Sequence, residues 1–358
     1  MNNKIKDKVV TILFSSILII FFLINVIKKD DDISISERRK LEKFPTLTIN
    51  NLMDGTFFKK FETYTTDQFV KRDDFRKLKV NLELNIKKNY NNLYNYNGYI
   101  VEQIFPLNKN SVINLANKMN SIKETYLTNN NIYFTIVPDK NYFINNGNLK
   151  LDYNELTNLM KNNLKDFNYI DIFSILNLDD YYKTDTHWKQ ENIKKVALLL
   201  SKNMNFDFYD NYNELEITSF KGVYSGQLPI KTKLDKITIL TNDIIKNSTV
   251  YNYETKKETE VYDLTKVNSL DKYDIYLSGA VSIIDIINNN FSNKELIVFR
   301  DSYGSSLVPL LIQDYKKITV IDTRYVSPKI LNEYVDFNNK DVLFIYGVIS
   351  VNNSSSIR

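Results

Sequence analysis

The first long apolar feature of the chain runs from Val9 to Ile27 (VVTILFSSILIIFFLINVI), interrupted only by Thr11, Ser15, Ser16 and Asn25. At about 1.5 Å rise per residue it spans roughly 28 Å, close to the hydrocarbon thickness of a bilayer. Lys4, Lys6 and Lys8 precede it, while Lys28 and Lys29 run directly into Asp30, Asp31 and Asp32. That slight basic excess in front favours a cytoplasmic N-terminus. No small-residue cleavage site follows, so residues 1–29 are expected to be a signal anchor, with the rest of the chain outside the membrane. Residues 30–56 lack periodicity and are expected to form a stalk or lead-in. From Phe57 to Leu84 apolar residues recur at helical spacing, which predicts two helices broken near Val70–Asp73. Tyr90–Phe105 alternates around an Asn97-Gly98 turn and predicts a hairpin, and Asn108–Leu127 predicts an amphipathic helix.

A βα rhythm follows. Ile132–Val137, Tyr169–Ile172, Leu296–Phe299, Ile318–Ile321 and Val342–Ile345 are short apolar runs, and Lys189–Met204 carries a helical face through Ile193, Val196, Ala197 and Leu200. Continuous β-branched runs separated by helix-length segments suit strands covered on both faces. The expected fold is therefore α/β, with a mostly parallel central sheet, over residues 57–350. Residues 205–275 are Tyr- and Thr-rich with alternating stretches, and predict a β-rich insertion. The polar residues 351–358 predict a frayed tail.

Composition adds mostly exclusions. The chain of 358 residues is 43% apolar and 25% charged, which is a folding composition. It has no cysteine and one histidine, His187. Disulfides, thiolate nucleophiles and Cys- or His-rich metal sites are thereby excluded, and no metal site is expected. The 47 basic and 43 acidic residues are spread along the chain without an arginine-rich stripe, so nucleic acid is not an expected partner.

In a sheet of this kind, sites form beyond the carboxyl ends of the strands. After Leu296–Phe299 comes Arg300-Asp301-Ser302-Tyr303-Gly304, then an apolar helix. A serine at such a turn exposes its hydroxyl beside free N–H groups, the geometry of an acyl-transfer nucleophile. The same residues also suit an ordinary helix cap. Asp185 stands two residues before His187, close enough to bind its Nδ1–H and leave Nε2 as a base. The alternative is a capping Asp185 and a His187 packed beside Trp188.

These residues resemble a known family. Tyr181-Tyr182-Lys183-Thr184-Asp185-Thr186-His187-Trp188 resembles the signature of the bacterial DHHW proteins, with Thr186 in place of the signature's first histidine. Those proteins are SGNH-hydrolase-like and related to the periplasmic alginate O-acetyltransferases (AlgJ/AlgX-like). Ser36-Glu37-Arg38-Arg39-Lys40-Leu41 with Phe44-Pro45, the block Phe61–Asp73, Val298–Pro309 and Asp322-Thr323-Arg324-Tyr325 resemble further family blocks. The resemblance implies an SGNH-like three-layer sandwich with circularly permuted motif order. It implies Ser302 as nucleophile, His187 as general base and Asp185 as its orienting acid. Gly222 is a candidate second oxyanion donor or a turn glycine. Arg324 is a candidate substrate or oxyanion contact, or one half of an ion pair. Tyr303 and Trp188 are further candidate substrate contacts. No asparagine stands after Phe344-Ile345-Tyr346, where Gly347 is found.

The expected function is a membrane-anchored extracellular O-acyltransferase or acetylesterase acting on a cell-surface polysaccharide. It needs no cofactor, and a membrane-bound O-acyltransferase is its implied partner. The alternatives are a catalytically inactive glycan-binding or assembly protein, and a structural envelope protein.

Overall fold

The N-terminal apolar run is a single helix, α1 (Asn3–Ile27), in the computed structural model, which describes residues 3–288 and 292–358. The chain divides into two compact units, residues 1–90 with 225–231 and residues 91–224 with 232–358.

In the first unit, α1 is followed by α2 (Ile49–Met53), α3 (Thr56–Asp67) and α4 (Arg72–Lys87). The α3–α4 break falls at Gln68–Lys71, where Lys71 takes a left-handed conformation with φ 53°. Residues 30–56, expected as a stalk or lead-in, are partly folded. Ile33–Ser34 pairs with Arg39–Lys40. Asp67 accepts from Arg39 Nη1 at 2.8 Å and from Glu42 N at 3.0 Å. Arg39 holds the Asp67 carboxyl below its usual range and outweighs the cost of its burial. Paired charges, which a composition reading scores as solvated, give this segment its structure.

The second unit holds an eight-stranded sheet. Its strands in chain order are β1 (Asn131–Val137), β2 (Asn168–Tyr169), β3 (Thr249–Asn252), β4 (Lys257–Glu260), β5 (Ile283–Ile287), β6 (Glu295–Arg300), β7 (Lys317–Ile321) and β8 (Asp341–Gly347). Their order across the sheet is β4-β3-β5-β7-β6-β8-β1-β2. The five strands from β7 to β2 are parallel, and β5, β3 and β4 are joined through antiparallel pairs. The β-rich excursion is thus partly the edge of the main sheet, with a separate hairpin of Asn213–Phe220 and Asp235–Thr241.

Helices α5 (Lys109–Tyr126), α6 (Tyr153–Asn163) and α7 (Lys194–Met204) supply the outer layers. Alternation within single strands shows both faces buried. Leu296 and Val298 join a core with Val196 and Leu200 of α7. Ile297 and Phe299 join another with Leu115 and Met119 of α5 and Leu156 of α6. Each such apolar side chain contributes about 1.5–3 kcal/mol by leaving water. The helix after His187 starts later than its periodicity suggests, because Gln190–Asn192 form a 3-10 turn before α7.

The C-terminal segment is not frayed. Val348–Asn352 is helical, Ile357 is buried, and Ser354 Oγ donates to Ser111 O at 2.8 Å while its N–H donates to Ser111 Oγ at 2.7 Å. Its polarity is spent on α5 rather than on water.

Candidate active site

Ser302 follows β6, which has a parallel neighbour on each side. β7 lies on one side of β6 and β8 on the other, so this is the point where the chain changes direction across the sheet. Asp301 fixes the turn. Its Oδ1 accepts from Tyr303 N at 3.1 Å, and its Oδ2 accepts from Gly347 N and Ser350 Oγ, both at 2.7 Å. The turn is thus tied to the end of β8. Gly347 has to be glycine here, because a Cβ would lie 2.6 Å from the Tyr303 ring. Ser302 itself is half-buried and therefore reachable, and its N–H has no partner among the described residues.

Asp185 and His187 sit in a loop whose ends are zipped together. Tyr182 N donates to His187 O at 3.0 Å, and Tyr181 bridges to Trp188. Asp235 grips the loop from outside, accepting from Lys183 N at 2.8 Å, Thr184 N at 2.7 Å and Thr184 Oγ1 at 2.6 Å. Lys140 supports it from behind. Its buried Nζ donates to Asp185 O at 2.8 Å and to Tyr182 O at 3.2 Å, with Ile100 O as a third acceptor.

Ser302 Oγ lies 2.8 Å from His187 Nε2, and His187 Nδ1 lies 2.6 Å from Asp185 Oδ1. Asp185 Oδ1 also accepts from His187 N at 3.1 Å, and Oδ2 accepts from Val223 N at 2.9 Å. Burial works to raise the Asp185 pKa. The His187 ring and the N–H donors outweigh it and hold the carboxyl well below its usual range.

Tyr273 stacks flat on His187, with ring centroids 3.8 Å apart and planes 6° from parallel, and Tyr303 meets the same ring edge-on at 5.3 Å. Tyr273 is fixed in turn, since its OH lies 2.7 Å from Ser306 Oγ, which accepts from Trp188 Nε1 at 2.9 Å. Tyr303 OH donates to Thr186 O at 2.9 Å. Tyr303 and Trp188 are both buried, Tyr303 against the imidazole and Trp188 edge-on to Tyr303 at 5.4 Å, so neither presents a face to a ligand.

Two expected contacts have other partners. The Gly222 N–H donates to Thr184 Oγ1 at 2.7 Å, so it is already engaged and not aimed at a developing oxyanion. Arg324 forms a two-pronged pair with the buried Asp322, Nε to Oδ1 at 2.9 Å and Nη2 to Oδ2 at 2.6 Å. Its charge is answered within the protein. The residues missed from sequence are Asp301, Asp235, Lys140 and Tyr273. Only Asp301, beside Ser302, carries a local signal.

No model of a known protein family matches the chain. A solved DHHW family protein from Eubacterium siraeum superposes with a TM-score of 0.61 at 18% identity, covering 76% of this chain and 96% of that one. The fold is that of a DHHW family protein. The structure of Bacillus cereus PatB1 with a sulfonyl adduct superposes at 0.59 and 18% identity, covering 73% of this chain and 97% of PatB1. The O-acetyltransferase domain of Pseudomonas putida AlgJ gives 0.43 at 10% identity, too distant to argue from. By sequence, the chain is 27% identical over 249 residues to the phenylalanine–tRNA ligase beta subunit of Mycoplasma mycoides subsp. mycoides SC. That match covers 62% of this chain but only 30% of the ligase, and it carries no activity across.

Proposed function

We propose that this chain is a membrane-anchored, extracellular SGNH-like O-acyltransferase or acetylesterase acting on a cell-surface glycan. The observation that carries the reading is the continuous path from Ser302 Oγ through both His187 nitrogens to a carboxylate, at 2.8 and 2.6 Å. Both lengths are at or below ordinary hydrogen-bond distance, so the nucleophile, base and orienting acid are already aligned. The DHHW and PatB1 likenesses support the fold that such a site uses. The glycan and the membrane-bound acyl donor rest on family resemblance, and the anchor rests on the length and apolarity of α1.

In this mechanism Ser302 Oγ attacks the ester carbonyl carbon as its proton passes to His187 Nε2. The Ser302 N–H faces the oxygen that gains charge. Asp185 and the Tyr273 ring face stabilise the imidazolium electrostatically. The imidazolium then protonates the departing alkoxide as the carbonyl re-forms, leaving an acyl-serine and the free alcohol. A glycan hydroxyl, or water, gives its proton to Nε2 and attacks the acyl carbon, and Ser302 recovers its proton as it leaves. The glycan route is transfer and the water route is hydrolysis.

The test is labelling of the full chain by a sulfonyl fluoride, together with hydrolysis of p-nitrophenyl acetate. The wild type is expected to show both, and Ser302→Ala neither. Labelling that persists in Ser302→Ala, or a folded wild type inert to both reagents, would overturn the assignment.

A further inference from the structure

The first unit leaves unexplained apolar surface. α4 exposes Phe75, Leu78, Leu82 and Ile86, spaced three, four and four residues apart along one helical stripe. Ile49 and Met53 of α2 and Phe58 of α3 are also exposed. A water-facing helix normally turns such a stripe inward, and contiguous apolar patches mark an interaction surface.

The position of this surface identifies its partner. Phe21 of α1 stacks on Phe69 with centroids 5.8 Å apart and meets Phe75 edge-on at 6.1 Å. Asn25 Oδ1 accepts from Val70 N at 2.8 Å, which pins the α3–α4 turn to α1. An apolar groove of about 790 Å³ lies between these elements, with Leu18, Phe21, Phe22, Phe61, Phe69 and Phe75 among its lining residues. Phe21 stands six residues inside the end of α1, or about 9 Å along the helix. The α3–α4 turn therefore reaches down alongside the apolar run. Helices lying in a membrane interface bury their apolar face about 5–10 Å deep.

We propose that α3 and α4 form a second membrane contact, a foot whose apolar stripe sits in the outer leaflet beside α1. The proposal rests on α1 spanning the bilayer. A bilayer fits better than another protein's transmembrane helix. The exposed residues are Phe, Leu, Ile and Met rather than the small residues that let helices approach closely in membranes. Exposed Lys71, just before α4, can reach lipid phosphates while its stem stays apolar, and Lys79 beside the stripe pairs with Glu83 at 3.9 Å. The foot would hold the α1 exit at the membrane surface.

The absence of cysteine makes the test direct. Single-cysteine variants Ile12→Cys, Leu82→Cys, Phe58→Cys, Lys77→Cys and Leu264→Cys of the full chain are labelled with a nitroxide. They are reconstituted into phosphatidylethanolamine–phosphatidylglycerol vesicles, and collisions with oxygen and with a water-soluble nickel chelate are compared. Position 12 reports α1, and positions 77 and 264 report water. The expected result is an oxygen-to-nickel ratio at 82 and 58 at least fivefold above that at 77 and 264. A lipid-like ratio at 12 with a water-like ratio at 82 and 58 would overturn the foot while leaving the anchor standing. Shielding of 82 from both reagents would assign the stripe to a protein contact instead. A water-like ratio at 12 would overturn the anchor, and the foot with it.

Discussion

Replacing Gly222 by alanine should disable the proposed relay without replacing any of its members. The substitution would place a Cβ 2.3 Å from Asp185 Cβ and 2.5 Å from both its Cα and its N. Carbon atoms pack at about 3.5–4.0 Å, so the two segments must part by about 1.2 Å or more. Two of the atoms in the way are backbone, so no side-chain rotation relieves the clash. Gly222 is not in a left-handed conformation, so alanine adds no backbone strain of its own and the perturbation is purely steric. Two bonds are stretched by the separation, Gly222 N to Thr184 Oγ1 at 2.7 Å and Val223 N to Asp185 Oδ2 at 2.9 Å. A misplacement of about 1 Å can cost about 10²-fold in rate, or about 2.7 kcal/mol of transition-state stabilisation. Overpacking of this kind costs about 1–3 kcal/mol of stability, which the large second-unit core should absorb. The assay is kcat/KM for p-nitrophenyl acetate beside a thermal melt. The expected outcome is a folded protein with about 100-fold lower kcat/KM and correspondingly slow sulfonyl labelling. A folded Gly222→Ala protein within threefold of wild type would refute the close-approach argument.

Two further substitutions probe the surroundings of the relay. Tyr273→Leu removes the ring stacked on His187, and aromatic pairs of this kind are worth about 0.5–1.5 kcal/mol. It should lower kcat up to about tenfold with KM little changed, and a larger change in KM than in kcat would count against a positioning role. Asp139 tests the electrostatics beneath the site. It is buried with Tyr153 OH donating to it at 2.5 Å, and burial pushes its pKa up to about 6. A raised acid is favoured in the folded state only when protonated. Its contribution is therefore fully present below about pH 4 and is lost as pH rises towards 6, a difference of about 3 kcal/mol. The stability gap between wild type and Asp139→Asn should shift by about that amount in favour of the variant from pH 4 to pH 7. Parallel pH–stability curves for the two proteins would show that burial does not control this group.

The parts of the fold legible in the sequence were those written in local periodicity. The apolar runs of β6, β7 and β8 could be read directly, as could the α3–α4 break. β5 was not, because Asp285 interrupts its apolar run. That carboxylate is satisfied by Thr319 Oγ1 at 2.6 Å, Tyr253 OH at 2.7 Å and Lys317 at 2.8 Å, all far away in sequence. The tail misled for the same reason, since Ser354 finds its partner in Ser111. The Asp185, His187 and Ser302 positions stood out because one histidine leaves one place to look. Tyr273 could not stand out among 25 tyrosines, and neither Asp235 nor Lys140 has a spacing that ties it to the loop it supports.

The proton positions in the resting site follow from hydrogen-bond saturation. Asp185 is held ionised, so it can only accept. His187 Nδ1 faces it at 2.6 Å and must therefore carry a hydrogen. In the neutral ring that leaves Nε2 without one, and Ser302 Oγ at 2.8 Å must be the donor. Nothing in the loop lets this arrangement invert. Asp185 Oδ2 is occupied by Val223 N, Tyr273 blocks one face of the ring, and Asp235 and Lys140 hold the backbone on either side. Burying two ionisable side chains is costly unless each charge is answered. Here the groups that answer them also fix the one tautomer in which histidine can act as a base towards serine. The stability of this site and the reactivity proposed for it thus depend on the same hydrogen bonds, and a substitution that loosens the supporting residues should weaken both together.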